Sequence, residues 1–107
     1  MTENETKAAR ASDMIQYQTD AVVSRIIMKN ASGTVTLFAF DEGQELSEHT
    51  TPFEALVHII DGQAEIIIAG ETHRLGAGDL IVMPAHKPHA LKAVKQFKML
   101  LTMIKEL

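Results

Sequence analysis

The sequence predicts an all-β fold of short antiparallel strands closed into a barrel or sandwich. Three observations carry this expectation. Runs rich in Val, Ile, Thr and Phe begin near Met14 and continue to Ile104. Gly, Asp, Asn and Pro interrupt them every eight to twelve residues, the spacing of strands and turns. The interruptions are tight, and consecutive strands joined by tight turns pair antiparallel.

Residues 1–12 read as a flexible lead, with 13–107 as a single domain. Ala8, Ala9 and Ala11 favour helix, but the lead is too short to hold one alone. Strands are expected at Met14–Gln18, Val22–Lys29, Thr34–Phe40, Glu45–Thr50, Ala55–Ile60, Ala64–Ala69, Thr72–Leu75, Asp79–Met83, Ala90–Val94 and Lys98–Ile104. Asn30–Gly33 makes an early link. Asp61-Gly62 reads as a type I′ hairpin, which needs positive φ at both central residues. Gly70 and Gly76-Ala77-Gly78 mark further turns, and Pro84 and Pro88 bracket a loop that cannot be a central strand.

Two strands are apolar on both faces. Ala55, Val57 and Ile59 alternate with Leu56, His58 and Ile60, and Lys98–Ile104 repeats the pattern. A small barrel needs only its inside apolar, so a second covering layer is expected. A homodimer supplies one; the alternative is that the N-terminal segment clamps the last strand.

Composition narrows the function. There is no cysteine, which removes disulfides, thiolate nucleophiles and Cys-based zinc sites. Net charge is −4 and no basic stripe is present, a poor basis for binding nucleic acid. No apolar run approaches the ~20 residues that span a bilayer, and the polar start carries no secretory h-region. The expectation is a cytoplasmic protein with no membrane and no nucleic-acid partner. Five acids lie between Asp41 and Glu54, and five lysines between Lys87 and Lys105. These read as two solvated faces of opposite sign, or as complementary surfaces on paired subunits.

The chemistry concentrates in two segments. The first runs from Gly43 through His49 and Thr51 to Gly62; the second runs from Gly78 through Pro84 and His86 to His89. Their spacing resembles the two motifs of the cupin superfamily, with Gly43, His49 and Gly62 in register with the first and Gly78, Pro84 and His89 with the second. The resemblance covers residues 43–91. It implies an antiparallel double-stranded β-helix, or jelly-roll barrel, like that of the small RmlC-like cupins. It also implies a metal cage of three histidines and a glutamate, suited to a divalent transition metal (Mn, Fe, Ni or Zn) and to oxygenase, isomerase or lyase chemistry.

This sequence departs from that cage at two positions. Thr51 stands where the motif has its second histidine, and Ala55 where it has glutamate. Glu54 is adjacent, but a shift of one residue turns a side chain to the other face. The resemblance therefore carries over His49 and His89 as metal-ligand positions. His86, in place of the usual second-motif glycine, is a third candidate at the rim. The competing reading makes His49 and His89 a pair of barrel-mouth histidines bonded to backbone or water. Phe40, Thr51, Val57, Ile59 and Met83 are the expected walls of a small-molecule pocket. Two functions follow: a metal-dependent enzyme acting on a small organic substrate, and a non-enzymatic ligand-binding or sensing module with a degenerate metal site.

Overall fold

The computed structural model describes residues 7–105, and the first six residues of the expected lead, with Glu106 and Leu107, lie outside them. Eight strands follow one another: β1 Val22–Asn30, β2 Gly33–Phe40, β3 Glu45–His49, β4 Glu54–Ile68, β5 Glu71–Gly76, β6 Leu80–Met83, β7 His89–Lys92 and β8 Phe97–Ile104. Every pairing is antiparallel. The main path runs β1-β2-β8-β4-β7-β3, with β5 and β6 also pairing β4. The curled antiparallel barrel expected from sequence is the fold observed.

β4 organises the molecule. Its first half, Ala55–His58, pairs with β6 on one side and β8 on the other. Its second half pairs with β5 and β7. One strand thus passes from one wall of the cup into the other. The passage is made at a register shift between Ile59 and Asp61, a bulge that bends the strand. Gly62 follows with φ of 75°.

This corrects the expected hairpin. Asp61-Gly62 does not reverse the chain, and the two strands drawn on either side of it are one. The feature read as a turn is a bend, because the same positive φ serves a bulge as well as a hairpin. Two successive residues of positive φ do occur at Ala69-Gly70, at 49° and 82°, where β4 turns into β5.

Inside the cup, alternate residues pack as strand geometry requires. Phe40, Val57, Ile59, Ile66 and Phe97 are fully enclosed. Phe40 and Phe97 face each other across β2 and β8, their rings stacked with centroids 4.5 Å apart. Such offset pairs add ~0.5–1.5 kcal/mol beyond burial.

The expected first strand at Met14–Gln18 is absent. A 3₁₀ turn at Ala11–Asp13 leads instead into a strap without strand pairing. Ile15 is buried against Leu37 and Ala39 on the outer face of the β1-β2-β8-β4 wall, with Met14, Tyr17 and Leu100 packed around it. The Tyr17 hydroxyl donates to the Asp61 carboxylate. Burial and that carboxylate push the Tyr17 phenol above its ordinary pKa. Lys98 Nζ donates to the Ser12 carbonyl at 2.7 Å and lies 4.9 Å from the Tyr17 ring centre. Lys98 is 7% exposed, so it belongs to a buried latch, unlike the solvated lysine face expected. The strap is the clamp foreseen as the alternative cover for the last strand.

The strap covers part of that outer face. Beyond it Met28, Val35, Thr102, Leu56 and Val82 form one row in continuous register across β1, β2, β8, β4 and β6. The row holds no charged side chain. Met28, Val82, Leu80 and Ile104, on or beside it, are among the most exposed large apolar residues.

Candidate functional site at the barrel mouth

β3 ends and β7 begins at the same level, and His49 and His89 are direct cross-strand partners there. Their ring centres are 4.4 Å apart in an edge-on arrangement. Their Nε2 atoms approach to 3.2 Å. His49 Nδ1 lies 2.8 Å from the Ser47 carbonyl, and His89 Nδ1 lies 3.3 Å from the Lys87 carbonyl.

These partners assign the tautomers. A carbonyl oxygen only accepts, so each Nδ1 carries the proton and donates. Each Nε2 is then a bare lone pair. Two lone pairs aimed at one another repel, and a metal ion between them would turn that repulsion into ligation. His89 is 4% exposed, and its pKa is lowered by burial, then by the neighbouring His49, against a smaller opposite effect of the Lys87 carbonyl. His49 stands at the open side.

A cavity of about 40 Å³ adjoins the pair, walled by Thr51, Ala55, Met83, Met99, Leu101 and Met103 among others. That is room for an ion or a water, far below the ~300 Å³ at which pockets for organic ligands begin. A larger hollow of about 540 Å³ lies elsewhere, along Glu65, Arg74 and Val94. It is an open groove whose charges pair with each other, Arg74 Nε to Glu65 at 3.5 Å, and it gathers no histidine. The small cavity, which both histidines line, is the candidate site.

The expected site residues separate into groups. His49, His89, Thr51 and Met83 meet at the cavity. Phe40, Val57 and Ile59 lie deeper, wholly enclosed in the core. His86 stands exposed on the rim. Its backbone N–H donates to the Thr51 carbonyl at 2.8 Å, and its φ of 67° explains why the motif has glycine here. Among the described residues no three or more His, Cys, Asp or Glu side chains come together as a metal cluster.

At the four positions of the implied cage stand two imidazoles, a hydroxyl and a methyl. The Thr51 hydroxyl is engaged with Phe53, donating to its carbonyl at 3.2 Å and accepting from its N–H at 3.3 Å. The donor set offers a transition metal two converging nitrogens and is two donors short of the motif's divalent site.

Ala55 is flanked in register by Met83 on β6 and Met103 on β8. Sequence reasoning singled out Met83 and missed Met99 and Met103. The period-two run Met99, Leu101, Met103 gave one face of β8, but not which residue of β4 it would meet.

The profile of the Cupin domain family matches residues 36–105. Among solved structures, a conserved protein of unknown function from Streptococcus pyogenes is 39% identical, with 95% of this chain and 90% of that one aligned at a TM-score of 0.91. A cupin superfamily protein from Desulfitobacterium hafniense is 29% identical over 90% of this chain and 87% of that one, at a TM-score of 0.85. A cupin 2 conserved barrel domain protein from Leptotrichia buccalis is 32% identical over 88% of this chain and 46% of its own length, also at 0.85. No curated protein matches the chain.

Proposed function

The chain belongs to the cupin family, and from that premise we propose that the His49–His89 pair is its binding centre, holding a transition-metal ion between two imidazole nitrogens at the mouth of the cup. The observation that carries this reading is the 3.2 Å separation of two Nε2 atoms whose Nδ1 partners are both backbone carbonyls. With metal–nitrogen bonds of ~2.0–2.1 Å, a chord of that length subtends roughly 100–106°, close to the tetrahedral angle. The carbonyls act as the outer partners that orient ligating histidines. A bound ion would supply Lewis-acid activation of a small ligand. The chain's own part is to fix both rings, keep them unprotonated on the inner side, and close the inner side with apolar walls. An organic ligand reaches the centre over exposed His49, past His86 on the rim.

A second reading, a non-enzymatic binding or sensing module, is favoured by the cavity of about 40 Å³, which fits an ion better than a substrate. In either case we place the protein in the cytoplasm as a homodimer. The apolar row on the outer wall supports pairing of two copies.

Metal analysis of protein purified without a polyhistidine tag tests the centre. One equivalent of a transition metal is expected, and its loss in the His49→Ala, His89→Ala double variant. Equal metal content in wild type and double variant refutes the assignment.

A further inference from the structure

We infer that the barrel mouth is built for a soft, singly charged ion, copper(I), with Met83 and Met103 adding thioether sulfur to the imidazoles of His49 and His89. This rests on the reading of the histidine pair as a metal centre and names the metal.

Three observations lead there. The first is the missing carboxylate. Ala55 occupies the place of the motif's glutamate, and its neighbours in register on both sides are methionines, Met83 and Met103. Strand geometry turns all three side chains to the same inner face. A methyl there leaves space beside the histidines, and Met83 and Met103 both line the cavity. Met99 lines the same cavity from β8, so three of the six methionines in the sequence border it.

The second observation is charge. The imidazoles and thioethers are neutral, and no Asp or Glu borders the cavity. A divalent ion would bring two uncompensated charges into a largely apolar enclosure. Charging energy rises with the square of the charge, so a monovalent ion of similar size costs about one quarter as much. Hard ions such as magnesium, calcium and manganese want oxygen ligands, and the one side-chain oxygen at the wall, Thr51 Oγ1, is committed to the Phe53 backbone.

The third observation is donor type. Thioether and imidazole together select copper(I) over zinc and iron(II). Roughly 40 Å³ suits an ion of low coordination number that sheds its water.

The test is an anaerobic titration of the tag-free protein with copper(I) against a chromogenic chelator, and with zinc(II) for comparison. The wild type should take one copper(I) per chain and prefer it to zinc(II). Met83→Leu with Met103→Leu keeps side-chain volume and hence the fold, checked by circular dichroism. That variant should bind copper(I) at least tenfold more weakly and leave zinc(II) affinity within twofold. Unchanged copper(I) affinity in it overturns the thioether assignment while leaving the histidine pair intact. Unchanged affinity for both ions in the His49→Ala, His89→Ala variant overturns the pair as well. X-ray absorption at the copper edge of the loaded wild type needs no variant: a sulfur shell beside nitrogen supports the inference, and nitrogen or oxygen alone refutes it.

Discussion

Gly62 lies so close to the Gln96 carbonyl that a Cβ on Gly62 would stand 1.9 Å from that oxygen. The three atoms nearest that position all belong to the backbone of Gln96 and Phe97, so no flexible side chain can give way. Its φ of 75° adds a conformational cost for any other residue. Gly62→Ala should therefore destabilise by about 3 kcal/mol or more. Urea unfolding of the variant measures this; a loss below 1 kcal/mol would mean the β4 bend is not built as described.

The histidine pair predicts a direction of pH dependence in metal-free protein. Burial and His49 hold His89 below the ordinary 6.5. Above that pH His89 is neutral whether folded or unfolded, and its contribution is fully present. As pH falls below 6.5, the unfolded chain takes up a proton that the folded chain refuses, so stability drops until the folded pKa is passed. Thermal melts from pH 8 to pH 5 should show this fall, and His89→Gln should flatten it. A wild-type profile that rises towards pH 5 would contradict the assignment.

His86 holds a left-handed backbone, φ 67°, without the freedom of glycine. His86→Gly should stabilise the metal-free fold by about 1 kcal/mol and leave one metal per chain. Differential scanning calorimetry and metal analysis check the two halves separately.

The strap is fastened mainly by Ile15, 5% exposed. Ile15→Ala should cost about 2–4 kcal/mol. Protease sensitivity should increase first around Arg10 to Tyr17, before the barrel opens. Equal cleavage rates in wild type and variant would show that the strap is held by its polar contacts alone.

Pairing of two copies predicts a mass of twice the 11.8 kDa chain in light scattering. Five strands at ~4.8 Å spacing and three residue rows give roughly 500 Å² per copy, near the lower bound for a specific interface. The dimer should therefore dissociate on dilution. Leu80→Glu with Val82→Glu, at positions 61% and 52% exposed, should give monomer with unchanged circular dichroism. An undiminished dimer places the interface elsewhere.

Much of this was legible in the sequence, for a physical reason. Period-two runs and turn residues are local signals, and they placed β1, β2, β3 and β8 to within about two residues. His49 and His89 were legible because motif spacing fixes which strand end carries each ring. The failures were non-local. Asp61-Gly62 has the chemistry of a turn, and only the Gln96 carbonyl packed against it distinguishes bend from reversal. Met14–Gln18 has strand composition, yet its partners on the outer wall bury it by side chains without a ladder. The methionines beside Ala55 required the register of β4 against two strands far along the chain, which no local pattern encodes.

The position of β8 has a consequence for biosynthesis. This last strand is inserted between β2 and β4, so the strands made earlier cannot become neighbours across that gap. Until Phe97–Ile104 clears the ribosome, the nascent chain carries two facing strand margins with nothing between them. Such margins are prone to stray pairing, and a polysome translating this message would hold a row of them. Closure of the cup, and assembly of any centre at its rim, accordingly waits for β8 to emerge and insert.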